Sequence, residues 1–479
     1  MSSVIDDVQV VDGSFRDRCG RVFLHGDRVF RSLTDEGLSD WRQISRTRFF
    51  REGSESGQIV RTWESHPAAL PADLSDAVLV LEHERIPAVT WPWEWSFSML
   101  KDAALSHLEL MLAALSEDCI LKDATPLNWQ FSGGRWVLMD TGSVVPHTSG
   151  HTWEGYRQFC ETFLFPLMLQ AWKEVHFQPW LRGRISGIPV DQFARMLSFR
   201  DMFRRGAMIH VWLHSKLQTK RLSSSAVSDS VREGGFDRSM IVRNVESLQG
   251  VVQGLHWRES ESEWSDYDQS SEPVQRDSAE KEAFVECVCS SRRWTTIWDL
   301  GCNLGRYSEI AARFSDLVLA FDSDHLTIDQ MYRKIRRKEI RNIIPLVMDL
   351  TDPSPSLGWR HRERLNLEQR STPELILCLA LIHHLVISGQ LLLHDVMDWL
   401  ASFHAEVVFE YVDRQDAQTK VLLQNRRDVF IDYSRENFLA AVQARFEIVD
   451  EYSLPCGTRT LYHLRPHTRR FESIETNGV

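Results

Sequence analysis

The segment Ile297-Trp298-Asp299-Leu300-Gly301-Cys302-Asn303-Leu304-Gly305 constrains this chain more than any other. An apolar run closes on a carboxylate, passes through a glycine-spaced turn and enters a helical pattern. That order predicts the first strand, ligand loop and first helix of a doubly wound α/β domain, with a nucleoside-type cofactor across the glycines. Gly301 permits a tight turn, and Gly305 leaves the first helical turn bare so that a ligand can approach the backbone. The loop is not the G-x-G-x-x-G run of dinucleotide sites. A second apolar strand, Leu317-Val318-Leu319-Ala320-Phe321, runs into Asp322, 23 residues after Asp299. A carboxylate there can accept both hydroxyls of a ribose.

The pattern repeats downstream. Ile343 to Met348 leads to Asp349, and Leu375 to Ala380 leads to Leu381-Ile382-His383-His384. Both read as parallel strands with polar residues at their carboxyl ends, where open α/β sheets place ligands. Val407 to Tyr411 reads as a fifth strand, and Phe446 to Val449 with Arg459 to Leu464 as a closing hairpin turning at Pro455-Cys456-Gly457.

Asp299 to Gly305 resembles motif I of the class I S-adenosylmethionine-dependent methyltransferases, and Asp322 matches their ribose-binding acid. The resemblance implies a doubly wound, seven-stranded sheet and S-adenosylmethionine as cofactor. It implies Asp299, Gly301, Cys302, Asn303 and Gly305 around the methionine part, Asp322 on the ribose and Asp349 on the adenine amino group. The segment after the fourth strand faces the methyl acceptor in that family, so His383 and His384 are the candidates for orienting a nucleophile or taking its proton. The bland alternative is that one histidine packs on the sheet and the other caps the next helix. Adjacent side chains on a strand point to opposite faces, so only one of the two would serve.

The first half carries a different signature. Val22 to Phe30 reads as two strands turning at Gly26-Asp27, and Ser98 to Ala114 as a helix. Asp123, then Asn128 five positions on, then Asp140 twelve later at the end of a strand are the spacings of a phosphoryl-transfer site. There the first aspartate positions a hydroxyl, and the asparagine and last aspartate hold magnesium. This resembles kinase-like folds and implies an α+β domain with magnesium and ATP. A G-x-G-x-x-G loop is missing near Gly20 and Gly26, and no V-A-I-K-like lysine strand follows. A scaffold that presents substrate, with these polar residues satisfying tight turns, therefore stands beside the active phosphotransferase.

Trp93 to Ala104, Leu121 to Phe131 and Tyr156 to Cys160 are similar to bacterial methyltransferases of the rhizobial host-specificity nodulation type. The resemblance covers most of the chain and implies a link to surface or signalling glycans. Members usually carry tyrosine where this chain has Leu127, so a contact by that ring is absent. Trp91, Trp93 and Trp95 read either as a platform for a sugar or, more simply, as packing.

At 479 residues the chain is too long for one ordinary core. The expected division is a kinase-like α+β domain with a helical subdomain over 1–222, a linker or flap with a connecting helix over 223–280, and a methyltransferase domain over 281–479. Residues 223–235 and 258–279, rich in Ser, Glu, Asp and Gln, read as exposed connections. Trp264, Asp266 and Tyr267 in the second make it a candidate lid over the cofactor. The formal charge of −12 makes nucleic acid an unlikely partner, and Arg200, Arg204 and Arg205 between apolar residues read as the solvated face of a helix. Eight cysteines without a C-x-x-C pair fit reduced thiols in a cytoplasm and support no zinc or other metal site. Cys287 and Cys289 would face alike on a strand. No export signal opens the chain, and the longest apolar run, Leu375 to Leu393, is broken by His383, His384 and Gln390, as a strand and helix would be but a membrane span would not. The joint expectation is a bacterial, cytoplasmic enzyme that methylates a small-molecule or glycan-like acceptor. Its alternatives are a phosphotransferase, alone or bifunctional, and a binding scaffold without catalysis.

Overall fold

A computed structural model describes residues 8–65, 78–213, 238–258, 272–424, 430 and 432–467. The chain divides into two compact units. The first holds Met1–Ser260 with Tyr332–Arg341 and Ser354–Arg370, and the second holds Glu261–Met331, Asn342–Pro353 and Ser371–Val479.

In the first unit β1 (Gln9–Val10), β2 (Gly20–His25), β3 (Arg28–Leu33), β4 (Thr62–Glu64) and β5 (Leu79–His83) form an antiparallel sheet in the order β1-β2-β3-β5-β4. The β2–β3 hairpin turns at Gly26-Asp27 as expected, with Gly26 at φ +55°. Helix Phe97–Ser116 starts at Ser96, whose hydroxyl accepts the Met99 N–H at 3.4 Å. It buries Leu100, Ala103, Ala104, Leu108 and Met111 along one stripe. After it come β6 (Cys119–Leu121), β7 (Trp129–Ser132), β8 (Arg135–Leu138) and β9 (Val144–Pro146), paired as β6-β9 and β7-β8.

Trp91, Trp93 and Trp95 are buried. Their indoles donate to the Leu365 carbonyl (2.9 Å), the Ser354 hydroxyl (2.6 Å) and the Thr90 hydroxyl (2.9 Å). Rings tied down at both face and edge give a sugar no platform, so packing is their role. The same unit is closed by Tyr332, which donates to Asp102 (2.7 Å) and accepts from the Trp136 indole (3.1 Å).

In the second unit β10 (Trp294–Leu300), β11 (Ser315–Asp322), β12 (Ile343–Val347), β13 (Leu375–Cys378), β14 (Glu406–Val412), β15 (Phe446–Ser453) and β16 (Arg459–Pro466) build one sheet in the order β12-β11-β10-β13-β14-β16-β15. The first five are parallel, and β16 runs antiparallel to both neighbours. The strands from β10 to β13 are almost wholly buried, which is why they read as continuous apolar runs. The order reverses between β10 and β13, and that is where an open α/β sheet leaves a crevice beyond its carboxyl ends. Register sets Asp299 beside Ala320 and Leu377, and Asp322 beside Val347.

Three local expectations change. Cys287 and Cys289 end helix Glu272–Cys289, where a spacing of two points them to different faces: Cys287 is exposed and Cys289 buried. Residues 272–279 accordingly begin a helix and not a connection, while 223–235 and the lid residues Trp264, Asp266 and Tyr267 lie outside the described residues. The single helix face expected around Arg200, Arg204 and Arg205 resolves into helix Val190–Met196, a 3-10 turn Phe199–Phe203 and a π turn Ala207–Leu213. No described helix is long and apolar enough to cross a membrane.

Candidate functional site

The glycine loop is held by its own backbone. Gly301 (φ +73°), Asn303 (φ +48°) and Gly305 (φ +76°) are all left-handed, and the N–H groups of Gly301 and Cys302 both donate to the Phe321 carbonyl at 2.9 Å. A side chain at Gly305 would collide with Met331. Asp322 stands at the end of β11, one carboxylate oxygen accepting the Asn303 N–H (2.9 Å) and the other the Asp324 N–H (2.9 Å). Its burial pushes its carboxyl above the usual range. Asp299 is fully buried and accepts the Ser308 hydroxyl at 2.5 Å. Burial pushes it up to about 7, opposed by the Ser308 bond and aided by the Asp322 charge. The buried Cys302 thiol is raised by the same desolvation and lines the loop as a neutral group. Asp349, one strand further along, is exposed, and its carboxylate accepts the N–H (2.9 Å) and hydroxyl (2.7 Å) of Thr351.

Beyond β13 the chain turns through Ala380, a non-glycine residue at φ +51°, and enters a helical turn that carries both histidines. The strand geometry expected for them is therefore wrong. On a helix neighbours are about 100° apart, and the two rings lie together with centroids 4.2 Å apart. His383 is completely buried with no hydrogen-bond partner on either ring nitrogen. Burial, with His384 and Arg459 adding to it, lowers its pKa to about 3, and burial lowers His384 as well. His383 is thus neutral across the ordinary pH range, fit to orient a partner by one hydrogen bond and too weak a base to hold its proton.

In the first unit Asp123 follows β6 and Asp140 caps the short turn Thr141–Ser143. Burial raises the Asp123 carboxyl, and the charge of Asp140 raises it further. Asp140 accepts the Gly142 N–H (3.1 Å) and the Arg31 guanidinium (2.6 Å), and Arg31 also faces Asp17 at 3.6 Å. Burial pushes Asp140 up, but the Arg31 charge and hydrogen bond outweigh it and leave the carboxyl below its usual value. Asn128 ends the turn Pro126–Asn128, its carbonyl accepting the Met139 N–H at 2.9 Å. These residues do not fit magnesium and ATP. Arg31 supplies the positive charge at Asp140, in the place a magnesium ion would have to take. Magnesium-dependent ATP hydrolysis by the full chain is expected to stay at background. Turnover that disappears on Asp140→Asn would contradict this. Among the described residues no group of three or more His, Cys, Asp or Glu side chains could hold a metal ion.

Over 456 residues the chain is 32% identical to the nodulation protein NoeA of Rhizobium meliloti (strain 1021), covering 94% of this chain and 95% of that protein. The chain belongs to the NoeA family. No family model matches it. Solved structures similar to this NoeA-family chain include the N-methyltransferase NodS from Bradyrhizobium japonicum WM9, 12% identical with a TM-score of 0.30 over 41% of this chain and 99% of that one. The same enzyme in complex with S-adenosyl-L-homocysteine is 13% identical, with a TM-score of 0.31 over 43% of this chain and 93% of that one. Magnesium protoporphyrin IX methyltransferase from Synechocystis PCC 6803 with bound S-adenosylhomocysteine is 14% identical, with a TM-score of 0.29 over 41% of this chain and 90% of that one. NoeA bears out the nodulation-type resemblance carried by Trp93 to Ala104 and Leu121 to Phe131.

One group in this NoeA-family chain escaped the sequence reading. Glu410, fully buried on β14, pairs with Lys281 (2.6 Å) and Arg459 (3.4 Å), and Arg459 also holds Asp416 (2.9 Å). The charges of Arg459, Asp416 and Lys281 all act on His383, so this network borders the histidine turn. The signal was one carboxylate inside the apolar run Val407 to Val412. Such a residue is buried only when paired.

Proposed function

We propose that the second unit of this chain transfers a methyl group from S-adenosylmethionine to a small-molecule or glycan-like acceptor, in the reducing, cytoplasmic setting that its free cysteines suit. The observation that carries this reading is the hydrogen bond from the Asn303 N–H to Asp322, which joins the candidate ribose acid to the glycine loop where the sheet order reverses. The residues present fit the cofactor. Gly301 and Gly305 give the loop its left-handed turns, Asp322 offers carboxylate oxygens to a diol, and Asp349 stands exposed one strand along for an amino group. When bound, the cofactor supplies an electrophilic methyl on a sulfonium.

Around that methyl the chain has to align an acceptor and keep water out. His383 suits alignment: a neutral ring with two uncommitted nitrogens can give or take one hydrogen bond from an acceptor that enters beside it. Neighbouring Lys281, Glu410 and Arg459 are committed to one another and hold the wall of this region rigid.

Calorimetric titration of the full chain with S-adenosylhomocysteine tests the reading. The wild type should bind, and Asp322→Ala should weaken binding by about 1–3 kcal/mol, since charge-assisted bonds to the ribose are lost. Absence of binding, or equal affinity in the variant, would sink it. A second reading, a cofactor-binding protein without catalysis, is favoured by the complete burial of His383. Against it stand the two unpaired ring nitrogens, because a purely structural buried histidine is normally hydrogen-bonded. Tight cofactor binding without methyl transfer to any bacterial small molecule or glycan would decide for the second reading.

A further inference from the structure

The first unit presents an apolar surface that its own core does not use. On the 3-10 turn Phe199–Phe203 the rings of Phe199 and Phe203 meet edge to face, centroids 5.3 Å apart, yet are 80% and 76% exposed. The π turn Ala207–Leu213 that follows is already anchored on its inner side. Ala207, His210 and Val211 are buried, and His210 bridges the Tyr156 hydroxyl (2.9 Å) and the Ser247 hydroxyl (3.4 Å). Its outer side carries the larger apolar residues, Met208, Ile209, Trp212 and Leu213, all exposed. Six large apolar side chains gathered on two adjoining turns exceed the scatter of single exposed residues found on any surface.

The charge of this surface identifies what it meets. Within a chain of formal charge −12, the stretch from Arg195 to Leu213 contains four arginines, Arg195, Arg200, Arg204 and Arg205, all exposed. Its one acid, Asp201, is buried and engaged by Lys173, Ser198 and Arg204. Arg200 lies between the two phenylalanines in sequence, and Arg204 directly follows the second. A protein interface segregates an apolar centre from a polar rim. Here exposed arginines are interspersed with exposed rings along the chain, so that aromatic tips can enter the acyl boundary while cations remain at phosphate level.

We propose that residues Phe199 to Leu213 form a membrane-surface attachment site that inserts Phe199 and Phe203 into a bilayer containing anionic lipid. The attachment is peripheral and independent of the methyl-transfer reading. Its strength combines buried ring area with about 1 kcal/mol, or fivefold, for each arginine near the lipid surface.

Co-sedimentation of the full chain with vesicles provides the test. Binding is expected to phosphatidylcholine vesicles that contain phosphatidylglycerol, to weaken in high salt and to fall sharply on pure phosphatidylcholine. Phe199→Ser with Phe203→Ser should reduce binding at least about tenfold, and Arg200→Ala about fivefold. Both phenylalanines are exposed, so the thermal unfolding of the serine variant should match that of the wild type and separate lost binding from lost folding. The proposal is overturned if the wild type ignores anionic vesicles, if neutral vesicles bind equally well, or if the serine variant still binds. It is also overturned if the serine substitutions abolish self-association in the absence of lipid, since the face would then belong to a second copy of the chain.

Discussion

Replacing Arg370 with methionine is expected to destabilise the first unit by about 3–5 kcal/mol, because it strands a buried carboxylate. Arg370 and Glu94 are both buried, with side chains 4% and 1% exposed. The guanidinium reaches both oxygens of Glu94, one at 3.1 Å and the other closer, donates to the Val89 carbonyl (2.5 Å) and lies over the Trp91 ring at 5.4 Å. Glu94 also accepts the Trp91 N–H at 2.7 Å and so closes the first turn of the tryptophan segment. Methionine fills part of the volume but leaves the charge unpaired. A compensating Glu94→Gln in the same chain should recover most of the loss, because the penalty comes from the orphaned charge and not from a missing contact. Urea unfolding followed by tryptophan fluorescence would measure both variants. A loss under about 1 kcal/mol for Arg370→Met, or no recovery in the double variant, would show that the pair is not what holds this segment.

That ion pair also shows where sequence reading runs out. Its partners stand 276 residues apart, and Arg370 lies between β12 and β13, in the stretch Ser354–Arg370 that packs with the first unit. Nothing in the mixed polar run Trp359-Arg360-His361-Arg362-Glu363-Arg364 carries a period, so it reads as a loop with no stated partner. The strands of the second sheet were legible for the opposite reason. The parallel strands are built on apolar runs, and in β10, β11 and β12 the carboxyl end is marked by Asp299, Asp322 or Asp349, so strand and ligand edge could be read together. The histidines defeated the same logic. Leu379 to Ile387 is apolar enough for either a strand or a buried helix, and without a period the turn at Ala380 was invisible. The arginine-rich stretch after Val190 failed differently: its spacing suggested one helix face, whereas the chain breaks into a short helix and two turns whose largest apolar members face outward. In the first unit the spacing of Asp123, Asn128 and Asp140 was legible, whereas the arginine on β3 that neutralises Asp140 was not, since a cation at that distance in sequence leaves no local signal.

Substituting Asp299 with asparagine is expected to stabilise the second unit at pH 8 while weakening its hold on the cofactor. The carboxyl titrates near 3.9 in an unfolded chain but near 7 in the folded one, because burial penalises its charge. Below about pH 4 both states are protonated, and the contribution of the neutral, Ser308-bonded acid to folding is fully present. Between about pH 4 and 7 the unfolded chain ionises while the folded one keeps its proton, so stability is lost as pH rises, on the order of 4 kcal/mol in total. Above the folded pKa both forms are charged and the loss is complete. Asparagine can keep a hydrogen bond with Ser308 and never titrates, so the variant should match the wild type near pH 4 and exceed it progressively toward pH 8. The methionine end of the proposed cofactor carries an ammonium that would favour the ionised form of this acid. Cofactor affinity of the wild type should therefore strengthen as pH rises through about 7 and level off above it, while the Asp299→Asn protein binds weakly without that rise. Urea midpoints and calorimetric titrations with S-adenosylhomocysteine across this range would check both halves. Parallel stability curves for the two proteins would show that Asp299 is already ionised in the folded chain, and a retained pH dependence of binding in the variant would assign the titration to another group.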